Sequence, residues 1–159
     1  MTKTITMAAA TAGHAEGGTT LNAFDNALLA AGIGNINLIK VSSIVPPDVT
    51  MVDRPKIKPG ACIPTAYAAM TSEIPGETVA AAVGYAIPDD PAKNGVIMEF
   101  HGVASRAHAE QQIRVMLEEA FRMRGEEIHE MKIFAAEHTT VKHGCALAAI
   151  TLLAEEDLL

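Results

Sequence analysis

Apolar and polar positions alternate along much of the chain, in stretches separated by turn residues, and this pattern predicts a series of strands. The predicted strands cover residues 3–10, 35–45, 61–73, 78–87, 96–102, 128–138 and 141–153. Two other stretches repeat apolar residues at helical spacing and predict helices at residues 20–31 and 105–124. Thr19 or Thr20 would cap the first helix, and Gly125 would end the second. The loops are expected at residues 13–18, 46–60 and 88–95.

The chain begins with a strand, a helix and a strand, continues with three further strands and a second helix, and ends in a hairpin. This order predicts an α/β (α+β) sandwich. Its core would be a mostly antiparallel or mixed β-sheet with two main helices, in a single domain of residues 1–159. Hydrophobic residues make up 49% of the chain but aromatic residues only 4%, so the core is expected to consist of aliphatic side chains. Alanine-rich faces of this kind would let layers and neighbouring subunits approach closely.

Charge and hydropathy argue against several classes of function. The formal net charge is −7, and nucleic-acid binding depends mainly on Lys and Arg, so no nucleic-acid partner is expected. The longest apolar runs, residues 79–88 and 145–154, are about half the length of a membrane span, and the first residues do not resemble a secretory signal. No histidine spacing indicates a metal, and no glycine-rich motif indicates a nucleotide. We therefore expect a soluble cytoplasmic protein with no membrane partner.

Two adjacent serines, Ser42 and Ser43, interrupt an apolar stretch shortly before two prolines. Pro46 restricts the backbone of the residue before it, so this segment is expected to be stiff. A strained peptide bond beside a hydroxyl group is where an N→O acyl shift could occur. A serine pair is also ordinary turn material, and the local pattern leaves both interpretations open.

Asp25 falls within the apolar stripe of the first predicted helix, between Leu21 and Leu29 on the helical wheel. A carboxylate on a packing face needs a partner, because an unpaired buried charge is costly. That partner could be a group of the protein itself or a cationic ligand.

Glu99 lies in a predicted strand, where it shares one face with Ile97 and His101. It could be a solvated outer residue or a carboxylate positioned for proton transfer. The alternation of the strand does not decide between them.

Residues 21–47, LNAFDNALLAAGIGNINLIKVSSIVPP, strongly resemble the pyruvoyl-dependent arginine decarboxylases. The later segment at residues 98–102, MEFHG, fits the same family, and the order of strands and helices is consistent with it. The resemblance therefore covers nearly the whole chain.

The resemblance implies that the chain makes its own prosthetic group. In this family the hydroxyl of the second serine, here Ser43, attacks the carbonyl of the first, here Ser42. The resulting ester would eliminate to dehydroalanine, which hydrolyses to a covalent pyruvoyl group. Cleavage would give a β chain of residues 1–42 and an α chain of residues 43–159, which is 159 − 42 = 117 residues. The ketone would take the place of PLP in the decarboxylation of L-arginine to agmatine and CO₂.

The resemblance also assigns roles to single residues. Glu99 would donate the proton to the decarboxylated carbon, Asn37 would assist self-cleavage, and Asp25 would receive the guanidinium of arginine. The remaining substrate-binding residues would be Gly34, Ile36 and Ile44. In a straight strand, Asn37 and Ser43 would lie roughly 20 Å apart, so they could meet only through a bend or across a subunit boundary. The family is similar in being trimeric, which favours the second route and implies a homotrimer of αβ units.

Two alternatives remain open at this point. A pyruvoyl enzyme could act on lysine or ornithine instead, since only the pocket around Asp25 would differ. Bidentate pairing with a carboxylate favours a guanidinium over an ammonium group. The chain could also be an unprocessed trimeric binding protein, although the presence of Ser42, Ser43, Asn37 and Glu99 together speaks against that.

Overall fold

Two β-sheets pack face to face, and one helix covers the outer face of each sheet, in a computed structural model that describes residues 3–159. Residues 1 and 2 of the expected 1–159 domain lie outside the described part. The elements are β1 (Met7–Glu16), α1 (Thr20–Ala30), β2 (Asn37–Lys40), β3 (Ile44–Val45), β4 (Thr50–Met51), β5 (Cys62–Ser72), β6 (Thr78–Ile87), β7 (Gly95–Val103), α2 (Arg106–Arg124), β8 (Glu130–Thr139) and β9 (Gly144–Leu153), with a short 3₁₀ turn at Glu155–Asp157.

The five-stranded sheet has the order β2-β5-β9-β1-β4, and the four-stranded sheet has the order β3-β7-β6-β8. The β2–β5 and β1–β4 pairs are parallel, and all other named strand pairs are antiparallel. These mixed sheets and two helices confirm the predicted α+β sandwich.

Strand β9 shows how alternation along one strand builds two layers of core. Ala148 and Ile150 face the four-stranded sheet, whereas Leu147 and Ala149 face α1. Because both faces are covered, every residue of this strand is buried. The layers lie close together: a methyl group at Gly13 in β1 would come within 2.7 Å of the Ala27 carbonyl oxygen in α1.

Local signals place the helix ends well. The Thr19 hydroxyl accepts a hydrogen bond from the backbone N–H of Asn22 and caps α1, and Ser105 does the same for α2 through His108. Gly125 follows α2 with φ 67°, a conformation that glycine adopts without strain.

Several predicted strand boundaries were wrong, because pairing between distant segments set them. The strand predicted at residues 3–10 instead runs from Met7 to Glu16, since β9 pairs with it along its whole length, and the predicted loop at 13–18 is correspondingly shorter. The loop predicted at 46–60 contains β4, a two-residue strand beside β1. The strand predicted at 35–45 is two strands, β2 and β3, that belong to different sheets.

Glu16, the last residue of β1, anchors the turn between β8 and β9. Its carboxylate accepts hydrogen bonds from the backbone N–H groups of Val141, Lys142 and His143, at 2.9, 3.0 and 3.2 Å. The Nε2 atom of His138 lies 2.7 Å from the same carboxylate. The N–H groups of Lys142 and Val141 are the main reason that the pKa of Glu16 falls from 4.5 to about 2. This carboxylate therefore holds the final hairpin as an anion.

None of the helices within residues 3–159 is long and apolar enough to cross a membrane.

Candidate active site

The Ser42–Ser43 peptide lies where the chain crosses from one sheet to the other. The backbone N–H of Val41 donates to the Thr65 carbonyl at 3.2 Å, which is the last bond to β5. The Ser43 carbonyl accepts from the backbone N–H of Ile97 at 2.7 Å, which is the first bond to β7. The peptide between the serines is thus tethered on both sides but belongs to no strand. We call residues 41–43 the crossover.

The crossover corrects the prediction that the serines end one continuous strand. The apolar pattern continues through the bend, because one apolar residue on each side of it packs against a different core. Leu38 packs on the side of α1, whereas Val45 packs between the two sheets. Pattern alone therefore could not separate β2 from β3.

Glu99 approaches the crossover from β7. It lies two residues after Ile97 and shares its face, which is directed toward the core between the sheets. Strand β3 pairs with β7 only at Gly95 and Val96, so the edge of β7 is uncovered at Glu99. The side chain of Glu99 is 27% exposed. Its Oε2 atom is buried and has no hydrogen-bond partner among the described residues.

Lys40, the last residue of β2, is a site residue that sequence reasoning missed. Its Nζ atom lies 3.2 Å from Glu99 Oε1 and donates a hydrogen bond to the Tyr67 carbonyl at 2.7 Å. The ammonium also lies 4.6 Å from the centroid of the Tyr67 ring. A signal was present, because Lys40 is the one charged residue in the otherwise apolar stretch around the serines.

Asn37, Gly34 and Ile36 lie toward the opposite end of β2 from the serines. The Asn37 side chain donates to the Gly60 carbonyl at 3.2 Å, and three residues of extended strand, roughly 10 Å, separate Asn37 from Lys40. Gly34 and Ile36 line a cavity of about 460 Å³ beside the C-terminal end of α1. A single chain therefore does not bring these residues to Ser43.

The prediction that Asp25 lies on a packed face of α1 was wrong, because Asp25 is exposed. The wheel assumed that the largest apolar side chains point inward. The buried residues of α1 are Ala23, Ala27 and Leu28, and the two alanines allow the helix to lie directly on β1. As a result Leu21, 74% exposed, and Leu29, 50% exposed, flank Asp25 on the outer surface. Ile44 in β3 is also exposed.

Comparison with known proteins identifies the family to which this chain belongs. The sequence profile of the family described as pyruvoyl-dependent arginine decarboxylase (PvlArgDC) matches residues 7–157. The chain belongs to this family. Among its relatives, a pyruvoyl-dependent arginine decarboxylase of Methanocaldococcus jannaschii is 51% identical over 141 residues, which are 89% of this chain and 86% of the relative. One of Pyrococcus abyssi is 44% identical over 153 residues, 94% of each chain.

A solved structure of a pyruvoyl-dependent histidine decarboxylase at pH 8 has a similar fold. The TM-score is 0.54, with 18% sequence identity, over 64% of this chain and 54% of that chain. The chain thus spans about half of that structure, and the likeness concerns the fold alone.

This member of the pyruvoyl-dependent arginine decarboxylase family is a decarboxylase that depends on a pyruvoyl group, as the sequence predicted. The residues at the crossover fit such a group. A serine is available as its source, and the neighbouring strand carries a buried carboxylate oxygen that makes no hydrogen bond in the part of the chain that the structure describes. Within residues 3–159, no cluster of three or more His, Cys, Asp or Glu side chains could hold a metal ion.

Proposed function

We propose that the chain cuts itself between Ser42 and Ser43 and that the mature enzyme decarboxylates L-arginine to agmatine and CO₂. The main support is the position of Glu99. Its Oε2 is buried and has no partner within residues 3–159, and its Oε1 lies 3.2 Å from the Nζ atom of Lys40, two residues before the serines. The products of the cut would be a β chain of residues 1–42 and an α chain of residues 43–159.

The proposed cut begins with the Oγ atom of Ser43. Attack on the Ser42 carbonyl moves the acyl group from the Ser43 nitrogen to its oxygen. Elimination then removes the Cα proton of residue 43 and breaks its Cβ–O bond, which forms the Cα=Cβ bond of dehydroalanine and frees Ser42 as a C-terminal carboxylate. Water replaces the nitrogen, which leaves as ammonia, so residue 43 becomes the pyruvoyl group. Asn37 is proposed to assist by donating a hydrogen bond to the developing oxyanion.

When it is bound, the pyruvoyl group supplies an electrophilic ketone that accepts electrons as the substrate loses CO₂. The protein must then return a proton to the carbon that has lost its carboxylate. Glu99 is the proposed donor, because its Oε2 makes no competing hydrogen bond within residues 3–159.

We further propose a homotrimer in which the active site lies between neighbouring chains. Asp25, Asn37, Gly34 and Ile36 of one protomer would meet Ser43, Glu99 and Ile44 of the next. This arrangement is supported by the exposed apolar side chains around Asp25 and at the edge of β2, which include Leu21, Leu29 and Ile39. A cytoplasmic location is consistent with the two free cysteines, Cys62 and Cys145.

Arginine is the favoured substrate for two reasons. The relatives described above are named for arginine. An exposed Asp25 carboxylate can also pair with a guanidinium through two parallel hydrogen bonds, which an ammonium cannot match. The names of these relatives do not favour lysine or ornithine, the alternative substrates considered from the sequence.

Intact-mass measurement under denaturing conditions tests the cut directly. We expect two masses, the larger of which begins at residue 43 and carries a pyruvoyl group. The purified protein is then incubated with arginine, lysine or ornithine, and CO₂ and the amine product are measured. A single full-length mass would contradict the proposal and favour the unprocessed binding protein. Two chains that release CO₂ only from lysine or ornithine would preserve the chemistry and reject the substrate.

Changing Asp25 to alanine tests the substrate pocket. We expect normal cutting and a KM for arginine that rises roughly 10- to 100-fold, the usual cost of a lost charged hydrogen bond, with little change in kcat. Glu119→Ala, an exposed carboxylate of α2, is the control and should leave KM unchanged. An unchanged KM in Asp25→Ala would remove the assigned role.

The same variant tests the trimer. Chains carrying Asp25→Ala and chains carrying Ser43→Ala are co-expressed, and activity is measured at low arginine concentration. Mixed trimers should regain activity, because some interfaces combine an intact Asp25 with an intact Ser43 from the neighbouring chain. If light scattering showed a monomer and this monomer decarboxylated arginine, the proposed assembly would be wrong.

A further inference from the structure

Lys40 joins the two sheets at the crossover. Its ammonium contacts Glu99 of the four-stranded sheet and the Tyr67 carbonyl of the five-stranded sheet. Groups of both sheets therefore determine its position, although the side chain itself is 54% exposed.

The local topology explains why a lysine fits there. Strand β2 pairs with β5 only as far as Thr65, because the chain then turns toward the other sheet. In residues 3–159, the edge of β5 beyond Thr65 has no strand partner on this side. The Lys40 ammonium donates to the Tyr67 carbonyl in place of a strand N–H group. Because an ammonium has three N–H donors, it can bind Glu99 as well.

Glu99 depends on this contact. Within residues 3–159, Lys40 Nζ is the one polar group that contacts the Glu99 carboxylate, and it contacts Oε1. The other oxygen, Oε2, is buried and makes no hydrogen bond to any described residue. Without Lys40, nothing polar in the described chain would fix the orientation of this carboxylate. A general acid that is misplaced by about 1 Å can lose on the order of 100-fold in rate.

We propose that Lys40 is a positioning residue for proton transfer: it holds Glu99 by Oε1 and so leaves Oε2 free for the substrate. This inference rests on the proposed function of Glu99. A lysine that only ties the two sheets together would stabilise the protein without affecting turnover. The two roles make different predictions.

The test uses Lys40→Met and Lys40→Arg in the full-length chain. Both variants should cut to two chains by intact mass. We expect Lys40→Met to lower kcat roughly 10- to 100-fold with a change in KM below about threefold, as for other residues that orient a reacting group. Lys40→Arg keeps the cation and should restore most of kcat. Lys132→Met, which removes an exposed lysine from β8, is the control.

Wild-type kcat in Lys40→Met would overturn the proposal. A folded Lys40→Met that remains uncut would also overturn it, because Lys40 would then act in maturation. Circular dichroism identifies a variant that does not fold, in which case Lys40→Gln replaces it. A lysine that only joins the sheets would lower the thermal midpoint and leave kcat of the folded enzyme unchanged.

A second readout does not depend on activity. Thermal midpoints are measured for Lys40→Met, Glu99→Gln and the double variant. Because the two side chains are in contact, the double variant should lose less than the sum of the two single losses. Additive losses would overturn the Lys40–Glu99 link even if the wild-type protein cut itself and consumed arginine. Conversely, coupled losses in a protein that neither cuts nor decarboxylates would contradict the proposed function alone.

Discussion

Replacing Ser43 by alanine is expected to leave one uncut chain of 16.7 kDa with no decarboxylase activity. The substitution removes the Oγ atom that is proposed to attack the Ser42 carbonyl, and no other step can begin without it. It should not disturb the fold, because the structural bond of Ser43 uses its backbone carbonyl, which accepts from Ile97. Intact mass measures the cut, and release of CO₂ from arginine measures the activity.

Ser42 provides a matched control for this experiment. It precedes Ser43 in the same crossover and is exposed, but the proposed chemistry uses its carbonyl and not its hydroxyl. Ser42→Ala should therefore still give two chains. If Ser43→Ala were cut while Ser42→Ala remained whole, Ser42 would be the nucleophile, and the cut would fall between Val41 and Ser42. If both variants were cut, neither hydroxyl would be the nucleophile.

The second large effect is expected for Glu99→Gln, which should cut normally but turn over slowly. An amide has nearly the size of the carboxylate, and its oxygen can still contact the Lys40 ammonium, but it cannot supply the proton. Loss of a general acid lowers kcat by roughly 10²- to 10⁴-fold. The loss should fall on kcat, in contrast to the KM effect expected for Asp25→Ala.

Glu118→Gln, an exposed change on α2, is the control for Glu99→Gln and should behave as wild type. Measurement requires both the mass of the chains and steady-state rates, so that incomplete cutting is not read as slow chemistry. A Glu99→Gln enzyme with an unchanged kcat would eliminate Glu99 as the proton donor. An uncut Glu99→Gln chain would instead place the carboxylate in maturation.

Local signals were sufficient for parts of the fold. Strand β6 was predicted at its observed bounds, Thr78–Ile87, and α2 was predicted at 105–124 before Gly125, so that only its first predicted residue, Ser105, is the cap instead. These features depend on neighbours in sequence: a capping hydroxyl, a glycine and an uninterrupted apolar run. The bounds of β1 and the separation of β2 from β3 depend instead on pairing with distant strands, which no local pattern contains.

The residues of the site also divide into those that the sequence identified and those whose place depends on distant pairing. Ser43 and Glu99 were assigned from the family resemblance, and the fold brings the strand of Glu99 to the crossover. Lys40 was missed because its importance comes from where β2 ends and where β7 is uncovered. Asp25 was placed on the wrong face because alanines, which carry little weight on a hydrophobic wheel, make the contact of α1 with β1.

The position of β1 has a consequence for the mature enzyme. This strand belongs to the proposed fragment 1–42, yet it lies between β9 and β4, which belong to the other fragment. Once the bond is cut, folding each protomer requires two molecules to associate, whereas the precursor folds as one. Its stability then follows mass action and falls on dilution. Refolding of the denatured precursor is unimolecular and does not depend on concentration. Refolding of a denatured mature protomer is limited by the association of its two chains and therefore depends on concentration.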